Sequence, residues 1–342
     1  MKISIVVPCY NEEACLQKYY DAMSEVRARL ETEFEYIFVD DGSRDRSLEI
    51  IRELAGRDCE VRYVSFSRNF GKEAAILAGL EAAEGDLVGL MDADLQDPPE
   101  MLLEMYNGIV NEGYDCVGCR RTDRKGEGKI KSAFARLFYK IMNKVSDAEL
   151  VDGARDYRLM TRKMTDAVLM LSERDRFSKG IFGWVGFKIK WLEYKNVERV
   201  AGKTKWNFRK LTKYAVGGIE DFSTAPLRFN NVVSLLLFLA AVGFAAFDIV
   251  WACLGKFAGG GMLTLFIIIP VTLFLLSLLF FGMVLLGEYI KKIFKEVKAR
   301  PVYLVRETEK DAALSQTAQS EKNEKSENAD AFAEVAATRN EP

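Results

Sequence analysis

The chain contains no histidine. That absence removes His general bases, Ser-His and Cys-His nucleophile systems and His-ligated metal sites together. Charge of neither sign is in excess, with 48 Lys and Arg against 50 Asp and Glu over 342 residues, a formal net charge of −2. A nucleic-acid partner, which would need a basic surface to neutralise phosphates, is not suggested. No G-x-G-x-x-G follows the first apolar run, which argues against a nicotinamide-binding oxidoreductase. The start of the chain lacks an apolar stretch of signal-peptide type, so the soluble part is expected in the cytoplasm. Any chemistry here has to draw on carboxylates, amides and cations, with a metal held by carboxylates as an option.

Cysteine is scarce, at six residues. One close pair, Cys116-Val-Gly-Cys119, is open to a redox or zinc reading. It lies inside a strand-like run with no second pair and no histidine beside it, so thiols buried in a strand are expected, in a reducing compartment.

The mean hydropathy of −0.04 averages two unlike chains. From Asn231 to Gly287 the only charges are Asp248 and Lys256. Within that segment Val232 to Leu254 is 23 residues and Met262 to Leu286 is 25; at ~1.5 Å per helical residue each is long enough for a hydrocarbon core of ~30 Å. The glycine-rich link from Gly255 to Gly261 makes them a two-helix transmembrane hairpin. Lys and Arg residues flank its outer ends, whereas the link holds only Lys256, so both ends are expected on the cytoplasmic side. Asp248 lies near the outer end of the first span, and Pro270 is expected to kink the second.

Before the hairpin, apolar runs at Lys2 to Pro8, Tyr36 to Val39, Val61 to Phe66, Leu87 to Met91 and Cys116 to Gly118 alternate with helix-like stretches. Those stretches are Glu12 to Leu30, Ser47 to Leu54, Glu73 to Ala83 and Pro99 to Asn111. The alternation predicts an α/β domain with a mostly parallel, doubly covered sheet, whose ligands bind beyond the carboxyl ends of the strands. A more basic section follows, with an amphipathic stretch from Lys129 to Lys144, an alternating run from Phe187 to Val200 and basic residues among aromatics from Lys203 to Arg228. The last of these, next to the hairpin, fits a surface against anionic lipid, and juxtamembrane amphipathic helices are expected in this section. The expected organisation is a cytoplasmic domain over 1–229, two spans within 230–288, and a cytoplasmic basic segment and tail over 289–342. Beyond about Thr308 the tail is too polar to bury a core.

Three loop motifs follow predicted strands: Pro8-Cys-Tyr-Asn-Glu12, Val39-Asp-Asp-Gly-Ser43 and Met91-Asp-Ala-Asp-Leu-Gln-Asp-Pro98. Each alone is an ordinary acidic turn. In this order and spacing they resemble the family-2 inverting glycosyltransferases of GT-A, Rossmann-like fold. The hairpin, Asp156-Tyr-Arg-Leu-Met160 and Arg176-Phe-Ser-Lys-Gly180 make the closer resemblance the polyprenyl-phosphate glycosyltransferases, relatives of bactoprenol glucosyltransferases and dolichol-phosphate mannose synthases. The resemblance covers about Lys2 to Lys298.

It implies a nucleotide-sugar donor, UDP-glucose or another UDP-hexose, and a divalent cation, Mg²⁺ or Mn²⁺, that neutralises the leaving diphosphate. Asp92, Asp94 and Gln96 are the implied metal ligands, with Asp94 central. Pro8, Tyr10, Glu12 and Asp40 are assigned to the nucleoside, and Arg68 and Lys72 to the donor phosphates, along with Asp92 and Gln96. For Asp41 and Ser43, a turn or helix-cap role and direct contact both stand. The acceptor implied is undecaprenyl phosphate, whose phosphate monoester is already largely ionised at pH 7 and needs no general base, in keeping with the missing histidines. Arg120, Lys131 and Lys205 are the candidate acceptor-phosphate cations. Ala135 stands where relatives often have Ser. Asp156, with Asp94, is the candidate catalytic carboxylate, beside the reacting sugar; an ion pair with Arg158 is the structural alternative. Membrane lipid, a second copy of the chain, a flippase and a downstream transferase are the partners such a reaction implies.

Two rivals remain. A related membrane glycosyltransferase would use another acceptor, diacylglycerol or a growing polysaccharide, although the Gln/Arg-x-x-Arg-Trp helix of polysaccharide synthases is absent. A silent membrane scaffold would keep the fold, but it has no need of Asp40, Asp92, Asp94 and Gln96 together.

Overall fold

In a computed structural model of the chain, residues 1–122, 143, 151–194, 225–253 and 261–311 are described. Strands β1 (Lys2–Cys9) and β2 (Glu33–Asp40) are buried almost throughout because both of their faces are covered. Ile3, Ile5, Val7, Phe34, Tyr36 and Phe38 pack on one side, under α1 (Leu16–Arg27), α2 (Ser47–Arg57) and α4 (Met101–Val110). Val6, Ile37 and Val39 pack on the other, against α3 (Lys72–Ala82), α5 (Arg162–Met170) and α6 (Ser178–Trp184). The result is a three-layer α/β/α domain. Helix α1 buries Leu16, Tyr19, Met23 and Val26, one stripe at helical spacing, whereas α3 is buried from Ala74 to Leu80 and is apolar all round.

The remaining strands are β3 (Val61–Phe66), β4 (Leu87–Leu90), β5 (Cys116–Arg121), β6 (Ala154–Thr161), β7 (Ile189–Tyr194) and β8 (Val305–Thr308). The sheet order is β7-β5-β6-β4-β1-β2-β3-β8. Strands β3, β2, β1 and β4 run parallel, as expected, and the order reverses between β1 and β4. The far half corrects the simple parallel picture, because β6 is antiparallel to both β4 and β5. The amino end of β6 therefore lies beside the carboxyl end of β4. Leu90 pairs with Arg158, so Asp92 and Asp156, each two residues beyond that pair, leave the sheet at the same edge.

Cys116 and Cys119 are free and buried, in the cores on opposite faces of the sheet. Burial raises both thiols, Cys116 to about 11. Residues three apart on a strand point to opposite sides, so this C-x-x-C is no dithiol site.

Beyond the domain, α7 (Ala225–Cys253) and α8 (Gly261–Lys298) pack on each other, with the side chain of Asn230 close against Gly282. Among the described residues one helix is long and apolar enough to cross a membrane, over Phe274–Lys298, and α7 carries a shorter apolar stretch, Phe229–Ala240. Leu235, Phe238, Phe274, Phe281 and Val284 on these helices are each more than half exposed, unlike the apolar residues of a soluble core. Helix α8 runs through Pro270 without ending.

The chain after α8 returns to the domain, which the sequence pattern did not foreshadow. Arg174 donates to Glu296 (2.8 Å) and to the Arg300 carbonyl (2.9 Å), and Lys295 pairs with Asp175 at 2.6 Å. Strand β8 then adds antiparallel to β3. Tyr303 stacks on Phe66 with ring centroids 4.8 Å apart, Arg52 binds Glu307 at 2.6 Å, and Arg62 binds Glu309 at 3.2 Å. The juxtamembrane stretches 129–142 and 203–224 lie outside the described residues.

Candidate functional site

The carboxyl edge of the parallel strands is a set of loops tied to one another. After β1, the backbone N–H of Asn11 donates to Ser43 in the loop after β2, and that of Glu12 to Ser47, the first residue of α2. The stretch Glu12 to Cys15, expected as helix, is spent on this latch, and α1 starts only at Leu16. Asp40 is buried and accepts from the Ser43 N–H (3.0 Å) and the Ser65 hydroxyl (2.9 Å). Asp41 accepts from Asn69 Nδ2 and from the N–H groups of Phe70 and Gly71, so it ties the β2 loop to the loop before α3. Burial raises the Asp41 carboxyl to about 6 despite these bonds. Asp41 and Ser43 thus each tie loops together, and neither caps a helix. Gly42, at φ 65°, brings the β2 loop so close to Arg68 that a Cβ would sit 2.4 Å from the Arg68 carbonyl carbon. Pro8, Tyr10 and Glu12 are half-buried around this latch. Arg68 is exposed and folds back over the Phe70 ring at 4.0 Å.

At the centre of the edge stands Lys72, the first residue of α3. Its Nζ lies 2.6 Å from Asp92 Oδ1 and 2.5 Å from Asp156 Oδ2. Lys179 approaches Asp156 from the other side, at 3.9 Å from Oδ1, and donates to the Ala154 carbonyl at 3.2 Å. Burial opposes charge on both Asp156 and Lys72 but is outweighed, holding the carboxyl well below its ordinary range and the ammonium well above its own. Lys72 itself counts most for Asp156, followed by Lys179. Arg158 is not the ion-pair partner of the Asp156 carboxylate. It is buried over the Phe182 ring and donates to the backbone carbonyls of Asp156 and Arg155.

In the loop after β4, Gln96 N–H donates to Asp94 Oδ1 at 3.2 Å, and Leu95 takes a positive φ of 53° to make the turn. Asp97, next after Gln96 and 2 % exposed, is an anchor. Arg155 donates to it at 2.9 and 3.4 Å, and so does the Tyr194 hydroxyl at the end of β7. Asp97 thereby joins the β4 loop to β6 and β7 and fixes where Asp92, Asp94 and Asp156 stand.

The adjacent arginines of β5 diverge. Arg120 pairs with Glu193 at the exposed edge, while Arg121 reaches the Gln96 amide oxygen at 3.4 Å and keeps its buried Nε without a partner. Lys131, Ala135 and Lys205 lie outside the described residues. Arg176, part of a motif that carries the resemblance, caps the end of α5 by donating to the Val168 and Leu171 carbonyls. The candidates brought together are Lys72, Asp92 and Asp156, with Asp94 and Gln96 in the same loop. Asp97, Arg155 and Lys179 were missed. Lys179 had a signal in the Arg176-Phe-Ser-Lys-Gly180 match, and Arg155 in its place beside Asp156.

Asp92, Asp94 and Gln96 present oxygen donors only, the set a hard cation such as Mg²⁺ or Mn²⁺ takes. No group of three or more His, Cys, Asp or Glu gathers among the described residues. Two carboxylates and one amide fill only part of a hard cation's shell and leave the rest to water or substrate oxygens.

Residues 4–169 match the family model described as "Glycosyl transferase family 2". A prophage bactoprenol glucosyl transferase homolog of Escherichia coli K12 is 39% identical over 313 residues, covering 91% of this chain and 100% of its own. The bactoprenol glucosyl transferase of Shigella phage SfII is 39% identical over 312 residues, 90% of this chain and 98% of its own. Among solved structures, glucosyl-3-phosphoglycerate synthase of Mycobacterium tuberculosis is similar at 20% identity with a TM-score of 0.45, over 64% of this chain and 78% of that one.

Proposed function

The chain belongs to glycosyl transferase family 2, and from that premise we propose that it moves one hexose from a UDP-sugar to undecaprenyl phosphate, with inversion at the anomeric carbon. The observation that carries this reading is the meeting of Lys72, Asp92 and Asp156 at the carboxyl edge of the sheet, in a chain that also has a long, exposed apolar helix. Relatives named bactoprenol glucosyl transferases, matched over nine-tenths of this chain, support the polyprenyl-phosphate acceptor. In this reading the chain is a glycosyltransferase domain over 1–229, two spans within 230–288 and a cytoplasmic segment over 289–342. The domain and both termini lie on the cytoplasmic side of a bacterial inner membrane.

The residues act as follows in this proposal. Pro8, Tyr10, Glu12 and Asp40 line the nucleoside end, where the latched loops form a rigid floor that needs no reorganisation on binding. Asp92, Asp94 and Gln96 would hold Mg²⁺ or Mn²⁺, which when bound supplies positive charge against the leaving diphosphate. Arg68 and Lys72 add cationic donors for the diphosphate. Asp156, kept ionised by Lys72 and Lys179, places negative charge beside a sugar carbon that becomes cationic as its bond to the diphosphate breaks. Arg120, Lys131 and Lys205 receive the lipid phosphate. That phosphate attacks as an anion already formed, so no side chain has to remove a proton from it.

The test is transfer of radiolabelled sugar from a panel of UDP and GDP donors into organic-extractable lipid. Purified protein, undecaprenyl phosphate, and Mg²⁺ or Mn²⁺ are used, with EDTA as control. One labelled, metal-dependent, acid-labile lipid from a UDP-hexose is expected. Label appearing only with diacylglycerol, or from no donor with folded protein, would overturn the proposal.

A further inference from the structure

Lys72 touches two carboxylates that serve different ends in the transfer reading. Its ammonium lies 2.6 Å from Asp92, a metal ligand in that reading, and 2.5 Å from Asp156, the carboxylate beside the sugar. Both acidic side chains are less than a quarter exposed. Two carboxylates brought to one edge by neighbouring antiparallel strands repel unless a cation stands between them. We propose that Lys72 is the resident counter-ion of the metal site, so that a divalent cation has to compete with its ammonium for Asp92. On losing Asp92, Lys72 keeps Asp156 and has a donor free for the diphosphate. The inference rests on the metal-dependent transfer reading above and deepens it, since one side chain would couple cation arrival to the charge at the sugar carboxylate.

The geometry supports such an exchange. Lys72 is the first residue of α3, directly after Gly71 at φ 103°, and its side chain is about one-third exposed, at 35%. A flexible four-carbon stem ending in a point charge is able to let go of one carboxylate and keep the other, where a planar guanidinium would hold both. Asp156 has a second cation in Lys179, so it does not depend on Lys72 alone while the exchange takes place.

The experiment is Mn²⁺ binding to purified full-length protein in detergent without nucleotide, read from the electron paramagnetic resonance signal of free Mn²⁺. Lys72→Met and Lys72→Ala are expected to bind Mn²⁺ about tenfold more tightly than wild type, or about 1.4 kcal/mol. Lys72→Arg should bind no more tightly than wild type. Ethylammonium should weaken Mn²⁺ binding to Lys72→Ala, while tetramethylammonium at equal concentration leaves it unchanged. A lysine of merely structural value predicts the reverse, weaker binding in every variant and no effect of ethylammonium. Unchanged or weaker binding in Met and Ala variants that keep the wild-type melting profile overturns the proposal, and so does Mn²⁺ binding to none of the forms. Should the Met variant not fold, the Ala variant with and without ethylammonium decides. If binding tightens but no labelled lipid forms, the counter-ion role stands and the transfer reading falls. If labelled lipid forms while binding is unchanged, the transfer reading stands and the counter-ion role falls.

Discussion

Asp97→Ala should cost the protein about 3–5 kcal/mol, although Asp97 has no part in the proposed chemistry. The side chain is 2 % exposed and accepts two bonds from Arg155, at 2.9 and 3.4 Å, and one from the Tyr194 hydroxyl. Burial works against the Arg155 charge, and Asp97 is the group that more than offsets it. Truncation to Ala leaves a guanidinium and a phenol without their acceptor, and the penalty for an uncompensated buried charge is larger than the net worth of the pair. Asp97→Asn keeps one acceptor oxygen and should cost about 1–2 kcal/mol. For a domain of this size ~1 kcal/mol moves Tm by roughly 2–4 °C, so the Ala variant should melt about 6–20 °C early. The assay is a tryptophan-fluorescence melt of the full chain in detergent, with Mn²⁺ binding measured below the transition. A fall of less than ~2 °C for Ala, or an Asn variant weaker than Ala, would refute the anchor argument.

Asp94→Asn should abolish label transfer and leave Tm within about 1–2 °C of wild type, because it trades one oxygen ligand for an amide in the β4 loop; near-normal transfer would remove Asp94 from the metal site. Gly42→Ala should destabilise by about 1–3 kcal/mol, since it forces a side chain into a left-handed backbone and to within 2.4 Å of the Arg68 carbonyl carbon; a melt unchanged from wild type would contradict it. Burial lifts Asp41 from 3.8 to about 6, so the folded state binds its proton more tightly than the unfolded state. Its contribution to stability is therefore present at low pH, is lost as pH rises from ~4 to ~6, and is level above. The Tm of wild type minus that of Asp41→Asn should decline across that window, and a difference growing with pH would reverse the sign.

What was legible in the sequence follows from burial on both faces. Strands β1, β2 and β4 carry apolar runs because helices cover them on two sides, and the acidic motifs follow such runs directly, so the loops of the site could be located. Strand β6 was not legible. Ala154-Arg-Asp-Tyr-Arg-Leu-Met-Thr161 carries three charges, and Arg158, which reads as surface, is 2 % exposed over Phe182 and satisfied by backbone carbonyls. With β6 hidden, nothing along the chain announced that Asp156 would lie across from Asp92, and the carboxylate was assigned by resemblance alone. Strand β8 was missed for the opposite reason. Its sequence Val-Arg-Glu-Thr is polar, and what holds it is partners more than 240 residues away, Arg52 to Glu307 and Arg62 to Glu309.

That returning strand bears on the choice of acceptor. Helix α8 ends at Lys298 and β8 begins at Val305, seven residues later; an extended chain of that length spans at most ~25 Å. Strand β8 runs antiparallel to β3, so its first residue lies beside Phe66 at the carboxyl end of β3, and the Leu304 carbonyl accepts from the Ser67 N–H at 3.0 Å. The strap from the apolar helix thus joins the sheet at its carboxyl edge, the same edge that carries Lys72, Asp92 and Asp156. Arg174, between α5 and α6, grips the end of α8 from the second side. Two attachments fix an orientation where one would leave a pivot. A soluble acceptor would reach the edge in any orientation and draws no benefit from such bracing. In the proposed reading the phosphate is fixed to a lipid and confined to the plane of the bilayer surface, and it would meet the sugar only with the edge held near that plane and facing it.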